Sequence, residues 1–285
     1  MYRNKAFSTP YLLLLCLLST VFAHHAFAKP QLNVQGEEVD QRFPITLLRA
    51  AIAQGGKYTL NYPDDARGSL ASEPKLHTDL INGDIDVICT LTSRRHEEKF
   101  QAIYIPVYRG MLGMRIAIVT AQNKQLFANV NNLDDLRQFK AGQGSLWADT
   151  QILAANALPV VKELKYHNLF PMLEGGRFDY FPRGIPEPWA EMTRESQYEL
   201  VVEPNLLLRY TAPFYFFVNK NNKPLIKHLT DNLNTLVANG QFEQLFFNHS
   251  EIKSGLQRAN LQQRVVINLE NPGLTKETPL NRPEL

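Results

Sequence analysis

Two hydrophobic periods alternate near the start of this chain, and that alternation leaves few folds open to it. "QLNVQG" (31–36) reads as a short strand, and "FPITLLRAAIAQGG" (43–56) as a helix with Pro44 in its first turn and Gly55-Gly56 as its stop. "YTLNY" (58–62) is a second strand, "KLHTDLINGD" (75–84) a second helix, and "IDVICTLT" (85–92) an apolar third strand. Strand and helix in this order predict an α/β protein with a mostly parallel sheet covered by helices. The charged turn "SRRHEEK" (93–99) falls at the carboxyl end of the third strand. In open α/β sheets ligands bind in the crevice outside those ends.

The rhythm returns further on. "MRIAIVT" is a strand, "NLDDLRQF" a short helix capped by Asn132, and "KAGQG" a strand end that turns into the helix "SLWADTQILAANA". "PVVKEL", "RFDYFP" and "YELVVEP" are further strands, separated by the helices "YHNLFPMLEGG" and "PWAEMTRE". "LRYTAPFYFFVNK" reads as one long aromatic strand, and residues 224–249 as two helices broken at Asn239-Gly240. Two α/β units joined by two extended strands predict two lobes with a cleft between them. The tail from Gly255 onward reads as an extended strap with no chemistry assigned.

Composition narrows the function. Arg3 and Lys5, the apolar run from Tyr11 to Ala23 and "AFA" at 26–28 have the form of a secretory signal peptide, too short and too polar at its end for a membrane span. Its removal at residue 28 would leave 28 Lys+Arg (30 less Arg3 and Lys5) against 28 Asp+Glu. Such a balance argues against nucleic acid and against an anionic membrane surface as partners. Cys89 alone would remain, inside an apolar strand, which suits a buried structural thiol. The histidines show no metal spacing, and no phosphate loop or nucleophile elbow is present. No cofactor or metal is expected.

"LINGDIDVICTLTSRR", "IYIPVYRG", "NNLDDLRQFKAGQGS" and "YFFVNKNNKPLIKHLTDNLNTLVANGQFEQLFFNH" together resemble the periplasmic solute-binding proteins of the polar-amino-acid ABC-transporter type, bacterial extracellular family 3. They cover most of residues 31–250 in the family's order, and "GQGSLWADTQIL" and "GRFDYFPRG" look like marks of an uncharacterised branch. The resemblance implies the two-lobed type II, or Venus flytrap, fold. Lobe 1 would take residues 29–116, lobe 2 residues 117–212, and the return strand, last helices and tail residues 213–285. It implies a monomeric periplasmic protein without a membrane anchor, which captures a small polar, carboxylate-bearing solute and presents it to a transporter permease or a membrane sensor.

By the same resemblance Arg95 would grip a carboxylate with its two-pronged guanidinium, and Arg94 competes for that role. Thr90 and Thr92 would stand beside it, and Gln143, Gly144 and Ser145 would offer polar groups at a helix N-terminus. The chain departs from the pattern before its first helix, where the aromatic, proline-rich loop is missing, and after "RFDYF", where Arg183 and Glu187 stand near the family's ligand-gripping aspartate. Arg183, Glu187, Trp147 and Trp189 are therefore candidate cleft residues. Each has a plainer reading: Arg95 paired on the surface with Glu97 or Glu98, Arg183 with Glu187 as an internal ion pair, and both tryptophans as packing. A secreted dehydratase or related lyase on the same fold, with Glu187 as its acid, is the enzymatic alternative, and an accessory sensor domain for a membrane kinase or cyclase is the third reading.

Overall fold

The computed structural model describes residues 29–35, 42–63 and 73–282; the expected signal peptide lies outside them. Strand β1 (Gln31–Asn33) pairs in parallel with β2 (Thr59–Asn61), and a bridge from Val34 to Val87 joins it to β3 (Val87–Leu91). On the other edge of β3 lies β11 (Phe214–Val218), antiparallel to both β3 and β4 (Gln101–Ile103). The spatial order is β2-β1-β3-β11-β4, because β11 returns from the second unit and wedges between two earlier strands.

Helix α1 (Phe43–Gly55) buries Phe43, Leu47, Leu48, Ala51 and Ile52 against this sheet. α8 (Lys223–Ala238) buries Leu225, Leu229, Leu233 and Leu236, the helical spacing visible in the sequence, and α9 (Gln241–Asn248) adds Phe242 and Phe246. On the opposite face α2 (Glu73–Asn82) and α3 (Arg94–Lys99) close a smaller core around Leu80, Ile88, Phe100 and Phe217. The segment read as a charged turn is thus a helix. Ser93 caps it, its Oγ accepting from His96 N at 3.2 Å.

The second unit is built on β5 (Met114–Thr120). One edge of β5 pairs with β8 (Phe181–Gly184); the other pairs with β9 (Leu200–Val202) and, nearer its start, with β10 (Leu206–Arg209), all antiparallel. β6 (Ala141–Gly144) and β7 (Val160–Glu163) run in parallel beyond β8, tied to it by the bridge from Ala141 to Tyr180. Helices α4 (Leu133–Leu136), α5 (Ala148–Ala155), α6 (Leu169–Glu174) and α7 (Pro188–Arg194) complete the unit. Asn132 caps α4 as its position suggests, accepting from Asp135 N at 3.0 Å.

Three differences from the sequence reading bear on the site. The strand read at 177–182 starts later, at Phe181, because Asp179 instead bonds Lys140 through its own N–H (2.8 Å) and its carboxylate (2.6 Å). The long aromatic strand is two strands, β10 and β11, with Pro213 at the break. The segment read as a strap begins inside a tenth helix, α10 (Ser250–Ala259), and continues into β12 (Val265–Asn268), parallel to β10. Beside the expected crossing strands β5 and β10 there is therefore a third. Arg264 anchors it, donating to Ala259 O (2.6 Å), Glu203 O (2.6 Å) and Leu206 O (2.9 Å).

Candidate functional site

A chain of alternating charges runs through the second unit into the crossing strands. Arg115, the second residue of β5, is a single charge in an otherwise apolar strand and is only 3 % exposed. Its guanidinium meets Asp149 Oδ1 at 2.7 Å and Glu187 Oε2 at 3.0 Å, and Tyr210 donates its hydroxyl to the same Asp149 oxygen. Glu187 Oε1 accepts from Arg183 at 2.7 Å, and Arg183 grips Glu191 through Nε and Nη2 at 2.6–3.0 Å. Tyr166 then donates to Glu191 at 2.5 Å and accepts from Arg194 at 2.6 Å. Three carboxylates and three guanidiniums alternate, so each buried charge has opposite neighbours, the condition under which burying them is tolerable.

The local chain explains how the network forms. β8 ends at Gly184, whose N–H donates to Glu187 Oε2 at 2.6 Å. A Cβ on Gly184 would stand 2.4 Å from Leu112 Cδ2 and 3.0 Å from that oxygen, so the glycine leaves room for Leu112 as well as for the carboxylate that folds back over the strand end. Arg183 lies in an aromatic box, its Cζ 4.9 Å from the Phe181 ring, 5.1 Å from Trp147 and 5.7 Å from Tyr166. Burial opposes the charge on both Arg115 and Arg183, but the adjoining carboxylates outweigh it and raise both above the ordinary arginine value. Burial pushes the Glu187 carboxyl up, against the pull of the two arginines. Its side chain remains a quarter exposed.

Helix α10 adds a contact that nothing in the sequence signalled. Glu251 accepts from Phe43 N at 2.7 Å, at the open start of α1, and from the Tyr108 hydroxyl at 2.8 Å. One turn on, Gly255 packs against the backbone of Ile185 and Pro186, and Arg258 lies 4.1 Å from the Trp189 ring. The helix therefore touches both units. Burial pushes the Glu251 carboxyl up, and Glu187 adds to the shift.

The predicted site residues separate into two groups. Arg183, Glu187, Trp147 and Trp189 gather around the network, with Trp189 donating to Ile185 O at 3.1 Å. Gln143 is fully buried below it and donates to Pro182 O, while the Ser145 N–H is taken by Glu163 O. Thr90 is half-buried on β3, and the Thr92 hydroxyl donates to Glu97. Glu97 also accepts from Tyr104 (2.9 Å) and from Thr275 of the tail (2.7 Å). Arg94 and Arg95 are exposed, and neither forms an ion pair among the described residues. Arg94 lines an open cavity of about 570 Å³ between α3 and the tail, with Glu97, Tyr104, Lys220 and Lys276. Sequence reasoning missed Arg115, Glu191, Tyr166, Tyr210 and Glu251; of these only Arg115 carried a signal, a charge within "MRIAIVT".

No family model and no curated protein matches the chain. Solved structures do. An ancestral arginine-binding protein bound to glutamine superposes at TM-score 0.57 and 17 % identity, over 78 % of this chain and 99 % of the other. A histidine kinase sensor domain with similarity to periplasmic binding proteins gives 0.57 and 15 %, over 78 % and 96 %. A periplasmic His/Glu/Gln/Arg/opine family-binding protein from Silicibacter pomeroyi, in complex with lysine, gives 0.56 and 11 %, over the same shares. Two α/β units, crossing strands between them and this likeness give one conclusion: the chain has the two-lobed fold of the type II periplasmic binding proteins.

Proposed function

We propose that this protein is a periplasmic solute-binding receptor that takes a small, carboxylate-bearing solute of amino-acid type between its lobes and passes the bound state to a membrane transporter or sensor. The observation that carries this reading is the fold, shared over 78 % of this chain with proteins described as binding arginine, glutamine or lysine. Arg94 and Arg95 support it, because they are the exposed guanidiniums at the carboxyl end of β3 that the buried network leaves unused. Among the described residues no helix is long and apolar enough to cross a membrane, so docking to a separate membrane partner fits the chain.

The dehydratase reading draws on one neighbour, an ancestral amino-acid-binding protein described as a precursor of cyclohexadienyl dehydratase. It asks Glu187 to donate a proton, whereas its oxygens serve as acceptors for Arg115, Arg183 and Gly184 N–H. That arrangement favours binding without turnover. The test is a thermal-shift panel of amino acids, dicarboxylates and aromatic acids on the wild type, Arg94→Ala and Arg95→Ala. A ligand at 100 times its Kd adds about 2.7 kcal/mol of stability. A shift abolished by one arginine substitution supports the proposal and says which arginine reads the carboxylate. A folded protein unmoved by every compound, or a compound consumed during incubation, overturns it.

A further inference from the structure

Glu73 and His77, one turn apart on α2, meet His96 where α2 packs on α3. His96 Nε2 lies 3.0 Å and His77 Nε2 3.7 Å from Glu73 Oε1, and donor atoms of all three residues lie within 4.8 Å of one another. Metal–nitrogen and metal–oxygen bonds of 2.0–2.2 Å at tetrahedral angles set neighbouring donors about 3.4 Å apart, a spacing this cluster brackets. We propose that Glu73, His77 and His96 form a binding site for a divalent transition-metal ion of the zinc class.

Three observations support the site. First, His77 is 4 % exposed, and its Nε2, 3.7 Å from Glu73 Oε1, has no hydrogen-bond partner. An orphaned buried nitrogen costs free energy that an ion would recover. Second, His96 Nδ1 lies 3.0 Å from Leu91 O. With its proton on Nδ1, the ring turns a lone pair on Nε2 toward the cluster, the outer contact that orients metal-binding histidines. Third, Phe100 and Phe217 pack on the two imidazoles with ring centroids 5.1 and 5.7 Å away, which keeps water from that side.

The donor set decides the ion. Two imidazoles with a single carboxylate suit zinc and its transition-metal neighbours, whereas calcium and magnesium require oxygen cages. Three protein donors leave one position for water, and Glu73, with a side chain 16 % exposed, forms the edge open to solvent. A bare ion pair between Glu73 and His96 with a passive His77 accounts for the first contact but leaves the orphaned nitrogen unexplained.

The test uses the full exported chain, stripped with a chelator and titrated with ZnCl₂ by calorimetry, with Co²⁺ absorption as a report on geometry. One equivalent per chain is expected, with tetrahedral d–d bands for Co²⁺ and a higher midpoint of thermal unfolding. Loss of an outer contact costs 10- to 100-fold in affinity, so His77→Ala and His96→Ala should each lose more than about 100-fold. Glu73→Gln, a change at the open edge, keeps the test decisive if the buried histidine variants fail to fold. His228→Ala should bind as the wild type does. Absence of zinc binding in the wild type, or binding that survives Glu73→Gln and the histidine substitutions unchanged, overturns the proposal.

Discussion

Arg115 shows how much of the interior depends on a single side chain. It lies between Asp149 and Glu187, and its removal would leave the buried Asp149 carboxylate without its cation and Glu187 with Arg183 alone. Arg115→Met should therefore cost about 3–5 kcal/mol, the range for breaking a buried pair, read as a fall in the urea midpoint. Glu251 tests the opposite case, a carboxyl whose folded pKa is raised by burial above its ordinary 4.5. Above that value the folded state holds its proton longer than the unfolded state does, so stability falls as pH rises. Relative to the wild type, Glu251→Gln should gain stability between pH 4.5 and 7; a difference that stays flat over this range would count against the account. Little of this was legible in the sequence. Arg183 and Glu187 stood out because they sit four residues apart, whereas Arg115 finds its partners 34 and 72 residues away, where no local pattern points to them.

At the scale of elements, legibility followed periodicity. α1 and α8 were readable because Leu47, Leu48, Ala51 and Ile52, or Leu225, Leu229, Leu233 and Leu236, recur at helical spacing. α10 was not, because two of its three buried residues, Gly255 and Ala259, are small and give a weak apolar signal. Glycine within a helix sacrifices about 1 kcal/mol of propensity. Its use here follows from close packing, since a Cβ would stand 3.0 Å from Pro186 Cα and 3.2 Å from Ile185 O. Gly255→Leu should cost about 1–3 kcal/mol by overpacking, and Arg258→Ala about 0.5–1 kcal/mol by loss of the contact with Trp189. Denaturation followed by tryptophan fluorescence measures both. Equal stability of Gly255→Leu and wild type would show that α10 does not bear on the second lobe.

For the whole molecule, α10 bears on how far the lobes can separate. Opening them must part Glu251 from Phe43 and Tyr108, or Gly255 and Arg258 from Ile185, Pro186 and Trp189. Spin labels at the exposed positions 57 and 162, one on each lobe, should report a narrow distance distribution that Gly255→Leu broadens. A broad distribution in the unmutated chain would contradict the brace. Glu251 also lies 208 residues beyond the backbone amide it caps. Because α10 and β12 come after the helices and strands of both units in chain order, both lobes can assemble before the piece that fixes their spacing exists. A product cut short at residue 249 would hold two nearly complete halves with their separation unset, so the spacing of the lobes is written into a segment translated after both of them.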